Sequence, residues 1–170
     1  MEASSRGSSR SRSGGSAARL RPLARADRGG IERILRECGA FREDEIAVAL
    51  ELVDAPAEAG YRFVVAEEAG EVAGYACFGS TPLTKGTWDL YWIAVDPARQ
   101  GAGIGRALLV AAEDAIRAED GRMLLIETAG KASYEKTRAM YLACGYREIA
   151  RVPDFYDVGD DKVVYGRSWI

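Results

Sequence analysis

The sequence predicts an α/β (α+β) fold, a mixed and mostly antiparallel central sheet of about seven strands with helices on both faces. Three observations predict it. Short β-branched and aromatic runs recur at strand length, as in Tyr61–Glu67 and Met123–Ile126. Apolar residues recur at helical spacing between some of these runs, most clearly over Ile104–Glu119. The elements follow the order strand, helices, three strands, helix, strand, helix, two strands. Hairpins in such an order pair antiparallel, and a helix between neighbouring strands allows one parallel crossover.

Leu20 and Leu23 suggest a short first strand, and Asp27 is placed to cap a helix running to about Cys38. A second helix is expected from Glu43 to about Leu52. Tyr61–Glu67 reads as a strand, Glu68–Glu71 as a turn and Val72–Phe78 as the hairpin partner. Asp89–Val95 is the next strand, ended by Asp96 and Pro97. In the helix that follows, Ile104, Leu108, Ala111, Ala112, Ala115 and Ile116 share one side. Arg106, Glu113, Arg117 and Asp120 share the other, and Gly121 stops the helix. Arg122–Thr128 reads as a buried strand. Ser133 or a neighbour caps a helix from Tyr134 to about Cys144, with Gly145 as its left-handed stop. Tyr146–Val152 and Lys162–Trp169 close the sheet around an acidic, aromatic loop, Asp154–Asp161, whose Asp157, Asp160 and Asp161 read as a solvated hairpin or, alternatively, as an acidic rim that attracts an amine.

Residues 1–18 are rich in Ser, Gly, Arg and Ala without an apolar period, and a disordered tail is expected there ahead of one domain over 19–170. The net charge of −3 divides into +3 for residues 1–19 and −6 for the rest. An acidic domain is a poor match for nucleic acid and a better one for a cationic substrate. The apolar runs are too short to span a membrane. Cys38, Cys77 and Cys144 are odd in number and show no metal-ligand spacing, so a reducing cytoplasm is expected and no metal. The chain contains no histidine, which excludes Ser-His-Asp and Cys-His catalysis. A general base must be a carboxylate, a tyrosine, a lysine, a cysteine or a water.

The most informative segment is Val95–Arg106, where Gly101, Gly103 and Gly105 alternate directly before a helix. Glycine permits positive φ and close approach of a ligand to the backbone. The first N–H groups of the helix have no partner within it and point outward, which together with the helix dipole suits a pyrophosphate. Arg106 can add a charge-assisted contact. A Walker loop requires GxxxxGK[ST] and is absent. A dinucleotide fingerprint fits Gly101 and Gly103, and Glu127 lies about where its ribose-binding acid would be. It fails at position 106, which is Arg, and in the gap Asp96–Gln100 after the strand.

Gln100–Gly105 resembles the [Q/R]-x-x-G-x-[G/A] pyrophosphate loop of the GNAT superfamily of N-acetyltransferases. Ile93–Pro97 looks like that family's fourth strand and its end. Arg138–Tyr146 is similar to its A-x-x-Y-x-x-x-G-[F/Y] helix ending, and the Tyr61–Phe78 hairpin also fits. The resemblance covers about residues 19–170 and implies a GNAT-like acyl-CoA N-acyltransferase fold with acetyl-CoA as cosubstrate. In the family the fourth strand splays from the fifth and pairs with pantetheine, a role that falls on Ile93, Ala94 and Val95. Backbone amides of Gln100, Gly101, Ala102, Gly103, Ile104, Gly105 and Arg106 take the pyrophosphate, and Tyr141 donates a proton to the leaving thiolate. Many members carry an asparagine seven residues before that tyrosine, where it contacts the cofactor; here the residue is Tyr134.

Direct transfer requires a neutral amine, a polarised thioester carbonyl and a leaving thiolate. A lysine-like amine, with a pKa of about 10.4, is neutral in only about one molecule in a few thousand at pH 7, so a base is needed. Asp89 aligns with a position where some members keep a base glutamate, and Glu127 ends the fifth strand beside the cleft; either, or a water, can serve. The implied function is N-acetylation of a primary amine in a ternary complex, on a small molecule or a peptide, with a homodimer allowed. The alternatives are a catalytically silent acyl-CoA-binding regulatory module and, more distantly, a dinucleotide-binding protein.

Overall fold

The computed structural model describes residues 17–169; of the tail expected over residues 1–18, residues 1–16 lie outside the described residues. Seven strands form one sheet in the order β1-β2-β3-β4-β5-β7-β6. They are β1 Arg19–Arg21, β2 Arg62–Glu68, β3 Glu71–Ser80, β4 Thr87–Val95, β5 Met123–Ala129, β6 Arg147–Asp157 and β7 Asp160–Ser168. The helices are α1 Arg28–Glu37, α2 Glu43–Asp54, α3 Ile104–Ala118 and α4 Glu135–Ala143. Every neighbouring pair is antiparallel except β4 with β5. The predicted architecture is therefore the observed one. No helix among the described residues is long and apolar enough to cross a membrane.

Two apolar layers sandwich the sheet. On one face Ile31, Ile34 and Leu35 of α1 and Ile46, Ala49 and Leu50 of α2 pack on Val65, Tyr75, Cys77 and Ala94. On the other, Ile104, Leu108, Leu109, Ala112 and Ile116 of α3 pack with Tyr141 of α4 on Ala76, Phe78, Leu90, Leu124 and Ile126. The central strand β3 is buried from Val72 to Gly79, as a strand covered on both faces must be.

Four local expectations are corrected. Asp27 makes no side-chain cap to α1. Its carboxylate accepts from the Nη1 and Nη2 groups of Arg21, at 2.7 and 2.8 Å, and from the Ala24 N–H at 2.7 Å, tying β1 to the start of the helical layer. The Arg21 pair holds the Asp27 carboxyl below the usual carboxylate value. Ser133 caps nothing either, because a 3-10 turn, Ala132–Tyr134, leads into α4. Asp154–Asp161 is the expected hairpin, with β6 running on to Asp157 and a turn at Val158 and Gly159, but two of its carboxylates are paired rather than simply solvated. Its carboxylates are committed internally, with Asp161 on Arg151 at 2.9 Å and Asp160 accepting the Gly130 and Lys131 N–H groups.

The fourth correction is Glu113, which is 2 % exposed rather than on the solvent side of α3. Tyr146 Oη donates to it at 2.8 Å, and Arg167 Nη1 lies 2.9 Å from its other oxygen while also donating to the Cys144 carbonyl at 2.9 Å. Burial and the Glu113 carboxylate together push the Tyr146 hydroxyl far above the usual phenol value. Three elements are thereby joined beneath the C-terminus of α4, where Gly145, at φ +86°, makes the expected left-handed stop.

Candidate active site

β4 and β5 pair only from Thr87–Leu90 opposite Met123–Ile126. Beyond Leu90 the two strands part, while β4 stays paired to β3 through Ile93, Ala94 and Val95. The edge of β4 that faces β5 is therefore left without a strand partner, and a cleft of about 880 Å³ opens there. Its walls include Trp92–Val95 of β4, the glycine loop and the start of α3, Glu127–Ala129 of β5, and Met140 and Tyr141 of α4. Residues Cys38, Ala40, Phe41 and Arg42 join from the α1–α2 connection, Glu45 from the first turn of α2, and Tyr156 and Asp160 from the last hairpin.

The glycine loop forms one end. Gly101 and Gly103 both sit at φ +83°, the left-handed region that glycine enters without a Cβ penalty. None of the backbone N–H groups from Gly101 to Arg106 donates to a protein acceptor among the described residues. They form a row of orphan donors at the N-terminus of a 15-residue helix. Gly105 serves packing instead, since a Cβ there would lie 3.0 Å from Met140 Sδ. Asp96, 4 % exposed, anchors the loop. Its carboxylate accepts the Ala98 N–H at 2.9 Å, Arg33 at 3.1 Å and Arg99 at 3.0 Å. Burial alone would raise the Asp96 carboxyl; the Ala98 N–H and the Arg33 charge outweigh it and hold it below the usual value.

Tyr141 stands in the cleft wall with 3 % exposure. Its ring packs on Tyr165 at 5.7 Å and Tyr146 at 6.2 Å. Its hydroxyl makes no hydrogen bond among the described residues. Burial, reinforced by Tyr134, pushes its ionisation far above the usual phenol value, so the proton is retained at neutral pH. Burial likewise raises the Cys38 and Cys144 thiols, which leaves neither as a thiolate nucleophile.

The structure brings together Tyr141, Glu127, Ile93, Ala94, Val95, Gln100, Gly101, Gly103, Ile104, Gly105 and Arg106, all of which line the cleft. Ala102 belongs to the loop without lining it. Asp89 is not in the cleft wall: it lies where β4 is still paired to β5, and Thr81 Oγ1 donates to its carboxylate at 2.6 Å. Glu127 lies one residue beyond the point of parting, and Lys162 Nζ is 2.6 Å from its carboxylate. Sequence reasoning missed the α1–α2 connection and Trp92, neither of which carries a local pattern that marks a ligand site. Tyr134, noted only as a departure, also lines the cleft.

A sheet parted at one crossover, with unpartnered N–H groups at a helix N-terminus and a buried phenol lining the gap, is a site shaped to receive a phosphate-bearing ligand. The comparisons agree. The family model for the acetyltransferase (GNAT) domain matches residues 59–148. A structure assigned to GNAT acetyltransferases, from Desulfovibrio desulfuricans, is 43 % identical over 89 % of this chain and 99 % of its own, with a TM-score of 0.86. An acetyltransferase structure from Salmonella typhimurium, solved with its cofactor acetyl-CoA, is 23 % identical over 90 % of this chain and 94 % of its own, with a TM-score of 0.74. A mycothiol acetyltransferase of Kineococcus radiotolerans is 35 % identical over 77 residues, which are 45 % of this chain and 24 % of that relative. The chain thus spans about a quarter of the length of that curated relative. The chain belongs to the GNAT family of acetyltransferases.

Proposed function

We propose that the protein moves an acetyl group from acetyl-CoA to a primary amine by direct attack in a ternary complex. The observation that carries this reading is the run of orphan N–H groups from Gly101 to Arg106 beside the unpaired edge of β4. These donors suit a pyrophosphate, and Arg106 adds a positive charge. The unpaired edge at Ile93–Val95 suits the amide groups of a pantetheine arm, and a backbone N–H there can polarise the thioester carbonyl. When bound, acetyl-CoA supplies the activated acyl group; the chain supplies orientation and proton transfer.

Tyr141 holds the proton that the departing thiolate requires. Glu127 accepts a proton from the amine, directly or through a water, because of the two candidate carboxylates, Asp89 and Glu127, it is the one that lines the cleft. The domain over 19–170 carries this activity without residues 1–18, and a reducing cytoplasm suits its free thiols.

Acetyl-CoA raises the melting temperature of the wild-type protein, since a ligand that binds only the folded state adds about 2.7 kcal/mol at a hundred times its Kd. In Gly103→Val that shift disappears. The new side chain meets a strained φ of +83° and enters space where no protein atom lies within 4 Å of its Cβ. The measurement is the ligand-induced shift above each variant's own baseline. Stabilisation by NAD in place of acetyl-CoA would overturn the reading.

A further inference from the structure

The chain enters the fold beside the glycine loop. Leu20, Ala66, Gly74 and Val95 form one row across β1, β2, β3 and β4. Val95 ends β4, and the chain ahead of Leu20 lies toward that same end of the sheet. Ala18 packs on the core layer that contains α3. Leu20 shares a groove of about 390 Å³ with Gly103, Arg106, Val110 and Asp114. Leu20 and Val110 give it an exposed apolar floor. Gly103 and Arg106 also line the cleft, so groove and cleft meet at the start of α3.

Charge in this region is complementary. Residues 1–16 carry Arg6, Arg10 and Arg12 against one acid, Glu2. β1 lies three strand spacings from β4, about 14 Å. Arg12 stands five residues ahead of Ala17, and five extended residues span about 17 Å. Arg12 can therefore reach the end of β4, and Arg6 and Arg10 can reach farther. Within the groove, Asp114 is an exposed carboxylate shared with Arg117 at 2.6 Å. Arg33 and Arg99 near the loop are both held by Asp96, whereas Arg106 is exposed and makes no ion pair among the described residues. Beyond its pyrophosphate, acetyl-CoA carries a 3′-phosphomonoester with a charge of about −1.5 to −2 at neutral pH. Arginine meets such a phosphate with paired N–H bonds.

We propose that residues 1–16 seat in this groove over the bound cofactor, with Arg6, Arg10 and Arg12 shared between its 3′-phosphate, beside Arg106, and Asp114, so that the basic tail forms the outer part of the acetyl-CoA site. The chemistry stays with the domain over 19–170, and the tail adds affinity for the cofactor. The inference rests on acetyl-CoA binding at the glycine loop, as read above, and adds the segment that recognises its outer phosphate.

The test measures Kd by calorimetry on the full chain, for acetyl-CoA and for 3′-dephospho-acetyl-CoA, in about 50 mM NaCl, where surface charges are weakly screened. Arg6→Gln, Arg10→Gln and Arg12→Gln are combined in one triple variant, which alters no element of the described fold. It binds acetyl-CoA about fivefold to tenfold more weakly and 3′-dephospho-acetyl-CoA less than about twofold more weakly, the scale expected of a few surface charge pairs. About 500 mM NaCl closes most of the gap between wild type and variant. Asp114→Lys gives the decisive sign. The site lies about 12 Å along the helix from Arg106. A lysine there attracts an anionic ligand directly but repels the tail arginines. Acetyl-CoA therefore binds about threefold more weakly to Asp114→Lys in the wild-type background and no more weakly in the triple variant. Equal weakening of the two ligands by the triple substitution overturns the proposal, as does unchanged or tighter binding to Asp114→Lys in the wild-type background. Acetyl-CoA binding that the triple substitution leaves unchanged sinks this inference alone; a wild-type protein that acetyl-CoA does not bind sinks the cofactor reading beneath it.

Discussion

Replacing Tyr141 by Phe lowers kcat by about tenfold to a thousandfold, with little change in the affinity for acetyl-CoA. The substitution keeps the ring that packs on Tyr146 and Tyr165 and removes only a hydroxyl that makes no hydrogen bond among the described residues. Folding stability is therefore nearly preserved, and the loss falls on the step in which charge develops on sulfur. A thiol of pKa about 8.5 leaves as an anion at neutral pH unless a donor meets it, and the buried phenol retains its proton for that purpose. Steady-state kinetics under conditions where chemistry limits the rate decide the matter: turnover at the wild-type rate removes Tyr141 as the acid. In the same assay Glu127→Gln loses more rate than Asp89→Asn, and raising the pH recovers part of that loss as the free amine deprotonates unaided. The reverse ranking returns the role of base to Asp89, whose carboxylate is engaged by Thr81.

Arg167→Met unfolds at a markedly lower urea concentration than the wild type. The substitution leaves the Glu113 carboxylate 2 % exposed, with Tyr146 as its remaining donor and no cation beside it among the described residues. Removing one partner of a buried pair costs about 3–5 kcal/mol, and the one-third exposure of the Arg167 side chain brings the expectation down to about 2–4 kcal/mol. The Cys144 carbonyl loses a donor as well. Adding Glu113→Gln to Arg167→Met recovers part of the loss, because the uncompensated charge is then gone. The midpoint moves while the denaturant slope does not; a loss below about 0.5 kcal/mol would show that Glu113 is already satisfied by Tyr146 and water.

Features written in contiguous residues were legible before the fold was known. The strands and helices appear as periods of two and of 3.6, and the glycine loop occupies adjacent positions whose backbone consequences are local. Tyr141 carries its spacing to Gly145 within one helix. Glu113 misled, because on a helical wheel it groups with Arg117, and the partners that bury it lie 33 and 54 residues away. The acidic hairpin misled for a similar reason: Asp160 and Asp161 look solvated in sequence and are paired with backbone donors and Arg151 in space. Tyr134 showed only as a mismatch with the family pattern, since the Ala40 carbonyl to which its hydroxyl donates lies 94 residues away.

The sequence by itself determined the class of fold, the place of the glycine loop and the place of Tyr141 four residues before Gly145. Each depends on dihedral preference or periodicity within a few residues. Only the tertiary structure decided which carboxylate meets the cleft. Asp89 and Glu127 are both strand residues, and what separates them is where β4 and β5 stop pairing: Asp89 lies within the paired stretch and Glu127 just beyond it. The structure alone likewise decided that the α1–α2 connection forms a wall of the site. That wall arises because the two helical layers meet around parted strands, a packing of distant segments that no local pattern encodes.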